Sequence, residues 1–260
     1  MTSPMLTGAR TMAQVVGALL LRETRVRFGS SQIGYLWAIL EPAGGVAVFA
    51  VVFSLMGRPP IAGPSLLLFF ALSMIGYNVF RRITTQVGNA FVANAALLSF
   101  PIVKPVDTLI ARALLELATG VLTMMIMLSL LKIIEDIPLP ARVDVLAAGI
   151  LSLALLGFGL GVINAVISQY SASWSQIEAL IHRPIFMMSG IFFTPNMFPS
   201  VVSDFLSWNP ILHGMECIRY GYYEGYRPDH IDMGYLIGWG LGTTVIGLAA
   251  ERFLPKQRVP

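Results

Sequence analysis

The chain has 260 residues, of which 56% are hydrophobic and only 12% are charged, whereas about a quarter of the residues in a soluble domain are charged. Together with a mean hydropathy of +0.74, this composition excludes a soluble globular protein, because so few charges could not cover its surface. The net charge of +3 comes from cations that lie beside apolar runs, which favours anionic lipid headgroups over nucleic acid as the partner.

The first predicted element is an amphipathic helix at residues 7–28. Five apolar residues recur there at helical spacing, namely Met12, Val15, Val16, Leu19 and Leu20. Most polar and cationic side chains lie away from this stripe, as in a helix that lies in the plane of a membrane interface. The alternative is that this helix packs against other protein.

Six apolar stretches are candidates for membrane-spanning helices, which need about 20 residues each. They are residues 34–56, 65–80, 108–131, 143–167, 177–193 and 233–250. The second and the fifth are short, and would have to extend into polar flanks or tilt. We therefore predict an all-α integral membrane protein that forms one domain, residues 1–260, with six transmembrane helices.

Lysine and arginine set the expected orientation of these spans. With the N-terminus in the cytoplasm, 12 of the 17 lysines and arginines lie on the cytoplasmic side and five lie on the outer side. Since cationic residues are enriched in cytoplasmic loops, the sequence predicts that both termini are cytoplasmic.

The first span contains a carboxylate and a helix breaker, Glu41 and Pro42. A helix that began at Pro42 would reach only about 22 Å, so the helix must begin earlier and pass through the pair. We expect the proline to bend the span. An intramembrane carboxylate is by default a functional-site hypothesis, and the alternative is that Glu41 pairs with a nearby arginine and fixes the packing.

The cytoplasmic stretch between the second and third spans is too polar to cross a membrane. Its apolar pattern predicts a short helix at residues 86–98, which the prolines Pro101 and Pro105 close. A short helix at the mouth of a bundle suits docking to a cytosolic protein. An ordinary interfacial connector is the alternative.

The outer segment between the fifth and sixth spans is rich in aromatic residues and too apolar for a solvated loop. Asn209 and Pro210 form a helix-start signal, and Pro199 can begin an earlier short helix. Neither helix could span, so we expect a re-entrant helical hairpin within residues 194–230. The aromatic side chains would form a belt at headgroup level or stack on sugar rings.

Several catalytic and nucleotide-binding signals do not occur in the sequence. There is no GxxxxGK[ST] loop to bind ATP phosphates and no HExxH motif. The three histidines, His182, His213 and His230, are scattered, and the single cysteine, Cys217, excludes an internal disulfide. We therefore expect no enzyme activity, no metal and no cofactor in this chain.

Four stretches resemble, in order and spacing, the permease subunit of bacterial capsular polysaccharide exporters, which belongs to the type-2 ABC exporter permeases. They are RFGSSQIGYLWAILEP from Arg27, VKPVDTLIARALLE from Val103, RPIFMMSGIFFTPNMFP from Arg183 and WNPILHGMECIR from Trp208. The resemblance implies a homodimer in the bacterial inner membrane, with two copies of a cytosolic ATPase that binds ATP and Mg. It also implies an N-terminal interface helix, a coupling helix at residues 86–98 and outer re-entrant helices.

On this resemblance, the chain is expected to export a lipid-linked capsular glycan, with a periplasmic or outer-membrane export component as a further partner. Permeases for O-antigen or teichoic acid are the nearer alternatives. A secondary transporter or a lipid-sugar transferase is more distant, because neither repeat symmetry nor clustered intramembrane acids are visible.

Three groups of residues are the site candidates. The lipid entrance is assigned on charge and position to Arg22, Arg25, Arg27, Tyr35, Trp37 and Glu41, the arginines attracting a lipid phosphate. Plain positive-inside anchoring is the alternative for the arginines. The contacts to the ATPase are assigned to Gln86, Asn89, Phe91 and Asn94. The outer aromatic group comprises Trp208, Tyr220, Tyr222 and Tyr223.

Overall fold

The computed structural model describes residues 4–28, 33–171, 173–228 and 231–254, without the side chains of residues 4–7, 9, 27–28 and 33–39. The side chains of Arg27, Tyr35 and Trp37 in the predicted entrance therefore lie outside the described part, as do residues 229–230 of the predicted outer segment.

The described ranges contain ten α-helices and one turn of 3-10 helix, Pro195–Met197. The helices are α1 (Pro4–Phe28), α2 (Ile33–Leu55), α3 (Leu66–Gly88), α4 (Ala90–Ala93), α5 (Pro105–Glu135), α6 (Val143–Ile167), α7 (Trp174–Met188), α8 (Ser200–Leu206), α9 (Pro210–Tyr222) and α10 (Met233–Phe253).

Four of these helices, α3, α5, α6 and α10, are long and apolar enough to cross a membrane. The described apolar part of α2, Leu40–Leu55, is shorter than a full span. The prediction of a helix at residues 177–193 is wrong at its end, because α7 stops at Met188. Gly190 then takes a left-handed conformation with φ +73°, which ends a helix readily because glycine has no Cβ.

The second predicted span extends into its polar flank, which was one of the two outcomes expected for so short a stretch, since α3 continues from Leu66 to Gly88 rather than ending at residue 80. Ser65 begins this helix, because its side-chain oxygen accepts a hydrogen bond from the backbone N–H of Leu68 at 3.3 Å. Asp232 begins α10 in the same way by accepting from Tyr235 N at 2.8 Å.

The core of the bundle is formed by α3 and α6, which pack against each other. Helices α5 and α2 lie against α3, and α10 and α9 lie against α6. The two central helices are buried along most of their apolar length, whereas α5 and α10 expose most of theirs. Such exposed apolar faces are suited to contact with lipid.

Glycines in α6 let this helix approach both α3 and α10 closely. A Cβ placed on Gly157 of α6 would lie 2.7 Å from the carbonyl oxygen of Phe80 in α3. A Cβ on Gly159 would lie 2.9 Å from the carbonyl oxygen of Gly240 in α10. Glycine is therefore required at both contacts, as in the close helix packing typical of membrane proteins.

Helix α1 does not lie apart from the bundle. Val16 and Leu19, from the apolar stripe seen in the sequence, are buried in a small cluster with Ala111 of α5. Other apolar residues of α1, such as Met12 and Leu21, remain exposed. One part of the stripe thus packs on protein, which was the alternative to a purely interfacial helix.

Two ends of the bundle are distinguished by what they contain. The arginine-rich end holds Arg22, Arg81, Arg82 and Arg112. The hairpin end holds α8 and α9 together with the two links at residues 56–65 and 136–142. Both names are used in this sense below.

Candidate functional site

At the arginine-rich end, α1 is bonded directly to the residues that follow α3. The guanidinium of Arg22 donates a hydrogen bond to Oδ1 of Asn94 at 2.8 Å. Asn94 is buried and donates in turn to the carbonyl oxygen of Ala90 at 3.0 Å. Arg22, assigned to the lipid entrance from its charge, therefore contacts one of the residues assigned to coupling.

A second connection joins α1, α5 and the end of α3. Arg112 of α5 forms an ion pair with Glu23 of α1, with 3.2 Å between Nη2 and Oε1. Its Nη1 also donates to the backbone carbonyl of Gln86 at 3.1 Å. Both side chains of the ion pair are largely buried, so water screens it less than an exposed pair.

We call these five residues, Arg22, Glu23, Gln86, Asn94 and Arg112, the α1–α5 network. It brings together parts of the two groups that the sequence assigned separately. Arg112 and Glu23 were missed by the sequence reasoning. The signal available in the sequence was one arginine and one glutamate close to the ends of apolar stretches. A local pattern alone cannot show that two such residues pair with each other.

The prediction of one helix across residues 86–98 is wrong. Residues 86–88 complete α3, only Ala90–Ala93 form the separate helix α4, and turns follow. The break comes at Asn89, and Asn94 ends α4 with its side chain bonded back to Ala90. Asparagine favours such ends because its side chain competes for backbone hydrogen bonds.

Burial sorts the four residues assigned to ATPase contact. Phe91 and Asn94 are buried, Gln86 is half-buried, and Asn89 is exposed. The large apolar side chains that are exposed in this region are instead those of Val92, Phe100 and Ile102. These residues were missed by the sequence reasoning, although their apolar character in a polar stretch was the available signal.

Glu41 pairs with an arginine of the neighbouring helix. Its Oε2 lies 2.6 Å from Nη2 of Arg82 in α3, while the Glu41 side chain remains 62% exposed. This is the pairing that the sequence left as the alternative to substrate contact. Arg25, another candidate for the entrance, is exposed.

A further polar cluster lies between α3 and α7. Arg81 binds the carboxylate of Glu178 through both of its terminal nitrogens. The Nε2 atom of His182 lies 3.1 Å from the same carboxylate, and the hydroxyl of Tyr77 lies 3.5 Å from its Nδ1. Glu178 and His182 are the buried residues of α7, so this cluster fixes α7 to α3.

Beside this cluster is a cavity of about 230 Å³. Its walls come from the ends of α3 and α6 and the start of α7, and include Asn164, whose side-chain oxygen accepts from Trp174 Nε1 at 3.1 Å. The cluster and the cavity were missed by the sequence reasoning, which treated His182 as isolated.

At the hairpin end, α9 is buried almost completely against α3 and α6. Arg219 and Glu216 form an ion pair of 2.7 Å, and their side chains are 1% and 0% exposed. Arg219 also donates to Oγ of Ser73 at 2.8 Å and to the carbonyl oxygen of Gly190. Tyr226 donates to the other oxygen of Glu216 at 2.7 Å.

The outer aromatic group is divided between the core and the surface. Trp208 is 78% exposed, and Tyr220 is half-buried with the guanidinium of Arg142 at 3.6 Å from its ring centroid. Tyr222 and Tyr223 are buried, and the Tyr222 hydroxyl donates to the carbonyl oxygen of Pro138 at 2.7 Å. A belt or sugar-stacking role for these two tyrosines is therefore wrong.

The start of α9 is as the sequence predicted. Asn209 is the N-cap, with its side-chain oxygen accepting from Ile211 N at 3.1 Å, and Pro210 is the first helical residue. Helix α8 begins directly after Pro199. Within the described ranges, no group of three histidine, cysteine or acidic residues is arranged to hold a metal.

These features define a polytopic helical membrane protein whose charged groups join helices at both ends of the bundle. The profile of the ABC-2 type transporter family matches residues 14–223, and the chain belongs to this family.

Relatives match along almost the whole chain. The polysialic acid transport protein KpsM of Escherichia coli is 31% identical over 94% of this chain and 95% of its own length. The capsule polysaccharide export inner-membrane protein BexB of Haemophilus influenzae is 27% identical over 95% and 93%. The O-antigen export system permease protein RfbA of Klebsiella pneumoniae is 22% identical over 88% and 87%.

Proposed function

We propose that this chain is the membrane-spanning permease subunit of an ATP-driven exporter that moves a lipid-linked capsular polysaccharide across the inner membrane. The observation that carries this proposal is the similarity to KpsM and BexB over nearly the full length of all three chains. Full-length similarity extends to the regions that differ most among membrane proteins, the links between helices.

The proposed assembly is a homodimer with two copies of a cytosolic ATPase, which bind and hydrolyse ATP with Mg. We place both termini in the cytoplasm, so the arginine-rich end faces the ATPase and the hairpin end faces outward. The cation distribution supports this orientation. A periplasmic or outer-membrane component would receive the glycan.

In this assembly the segment from α4 to Ile102 is the docking surface for the ATPase. Its exposed Val92, Phe100 and Ile102 offer apolar contact area, while buried Phe91 and Asn94 hold the segment on the bundle. The α1–α5 network links α1 to this segment through Arg22 and Asn94, and links α1 to the end of α3 before the segment through Glu23 and Arg112.

O-antigen export is the second candidate function, because RfbA matches 88% of this chain at lower identity. Deletion of this chain distinguishes the two. We expect capsular glycan to disappear from the cell surface and to accumulate inside the cell, while the O-antigen remains on the surface. Loss of the O-antigen with intact capsule would overturn the assignment.

The docking surface is tested by the substitution Val92→Asp. A carboxylate placed in an apolar contact loses its hydration without a partner, so we expect copurification of the ATPase to fall about tenfold or more. Pull-down of the ATPase with the tagged, membrane-inserted chain measures this effect. Val143→Asp is the matched control, because Val143 is equally exposed but lies at the hairpin end. Equal recovery with both variants would contradict the docking surface.

The entrance arginines are separated by comparing Arg22→Gln with Arg25→Gln. Both arginines are exposed, but Arg22 is bonded to Asn94, whereas the Arg25 side chain forms no hydrogen bond or ion pair within the described ranges. If Arg22 acts through the α1–α5 network, we expect Arg22→Gln to lower glycan-independent ATPase activity of the complex several-fold and Arg25→Gln to leave it unchanged. If both variants lose export but keep their ATPase activity, the result would instead support lipid attraction by the two arginines.

A further inference from the structure

A large cavity lies at the hairpin end, between α2 and the end of α5. Its volume is about 970 Å³, at the upper end of the range for ligand sites. The wall within the membrane is apolar and includes Ala47, Ala50 and Val51 of α2. The two alanines leave the space that larger side chains would fill.

The cavity is open toward the surroundings of the bundle. Val51 and Leu55, which line it, are 55% and 83% exposed. An apolar surface of a membrane protein at this depth is surrounded by lipid. A flexible acyl chain fills a concave apolar wall more readily than the convex side of another helix does. The cavity therefore suits the tail of a lipid.

The rim of the cavity carries opposite charges that do not pair with each other. Arg58 lies on the side of α2, and Glu135 and Asp136 lie on the side of α5. Asp136 is already engaged, because Lys132 lies 2.6 Å away and its charge and hydrogen bond lower the pKa of the Asp136 carboxyl. Within the described ranges, the side chains of Arg58 and Glu135 form no hydrogen bond or ion pair, and the guanidinium of Arg58 lies 5.5 Å from the ring centroid of Phe53.

One cation and one carboxylate at a shared opening complement a zwitterionic headgroup. A phosphate would accept hydrogen bonds from the guanidinium of Arg58, and a primary ammonium would donate to the carboxylate of Glu135. A choline headgroup has no N–H to donate, and an anionic headgroup without an amine would leave Glu135 facing a phosphate. The rim therefore discriminates among phospholipids by their headgroup.

We propose that this cavity binds a phospholipid with an ethanolamine headgroup, its acyl chain against α2 and its headgroup between Arg58 and Glu135. Assignment of the lipid to the outer leaflet rests on the orientation in the proposed function. Binding itself does not depend on the exported glycan, so it is measured on the purified full-length chain without ATPase or glycan.

The test is titration of the detergent-purified chain with phosphatidylethanolamine, phosphatidylcholine and phosphatidylglycerol of the same acyl composition, followed by native mass spectrometry. We expect phosphatidylethanolamine to bind about tenfold more tightly than the other two, the effect of one charge-assisted hydrogen bond. Glu135→Gln should abolish this preference, and Arg58→Gln should weaken binding of all three lipids. Arg227→Gln, at an exposed arginine outside the cavity, should change nothing.

The acyl site is tested by a matched pair on α2. Val51 lines the cavity and Val52 does not, and both are exposed. Val51→Phe should weaken lipid binding several-fold, whereas Val52→Phe should not. Equal affinity for the three lipids, unchanged in all variants, would overturn the proposal. A second copy of the chain that covers the cavity would also overturn the proposal. The sign of it would be a disulfide-linked dimer that Leu55→Cys forms in membranes and that the additional substitution Val51→Phe disrupts.

Discussion

Replacement of Arg219 by methionine is expected to lower the free energy of unfolding by about 3–5 kcal/mol. The substitution would leave the carboxylate of Glu216 fully buried with Tyr226 as its remaining donor. It would also remove the hydrogen bonds that join α9 to Ser73 of α3 and to the link after α7. An uncompensated buried charge is among the few mechanisms that cost this much in a single substitution.

The double variant Arg219→Met with Glu216→Gln should recover at least half of that loss, because a neutral amide costs less to bury than a carboxylate. Unfolding of the purified chain in mixed micelles measures the single and the double variant. Arg227→Met, at an exposed arginine, serves as the control and should have little effect. A loss of less than about 1 kcal/mol for the single variant would show that Glu216 is not held as an anion by Arg219.

A single methyl group at Gly159 should destabilise the contact between α6 and α10 by about 1–3 kcal/mol. The added Cβ would lie 2.7 Å from Thr244 N and 2.9 Å from Gly240 O. Both are backbone atoms, so no side-chain rotation relieves the clash and α10 has to shift. The same unfolding experiment on Gly159→Ala measures the effect.

Gly242→Ala on α10 is the matched control, because a Cβ there meets no atom within 4 Å. Alanine favours a helix over glycine by up to about 1 kcal/mol, so this variant should be as stable as the parent chain or more stable. If Gly159→Ala is equally stable, the two helices are not in contact at this position.

Local signals predicted many of the helices. The fourth apolar stretch has the same bounds as α6, because Arg142 precedes a long and mostly apolar run and the polar residues Ser168 and Gln169 follow it. Asn209 and Pro210 predicted the start of α9 correctly, since N-cap chemistry involves only residues two or three positions apart. Such interactions are visible in a sequence because both partners lie within one turn.

Other features depend on partners that are distant in sequence. The second stretch was given as residues 65–80 with extension into its polar flanks left open, and α3 does continue through Arg81 and Arg82, which pair with Glu178 and Glu41 of other helices. Tyr222 was assigned to the outer aromatic group because it lies in an aromatic-rich outer segment, but its side chain is buried and its hydroxyl donates to the carbonyl oxygen of Pro138. No local pattern contains these pairings.

The candidate sites show the same division. Charge and position singled out Arg22 and Glu41, and the structure gives each a protein partner, Asn94 and Arg82. The lipid-entrance role of these two residues and of Arg25 stays a prediction. The bend expected at Pro42, which lies within α2, also stays a prediction.

The α1–α5 network has a consequence for building hybrid transporters. Arg112 holds α1 through Glu23 and the end of α3 through Gln86, and Arg22 holds the turn after α4. A chimera that exchanges only residues 86–104 to accept a foreign ATPase would break contacts made by two other helices. The unit to exchange is therefore α1, residues 86–104 and the first turns of α5, all taken from the same parent transporter.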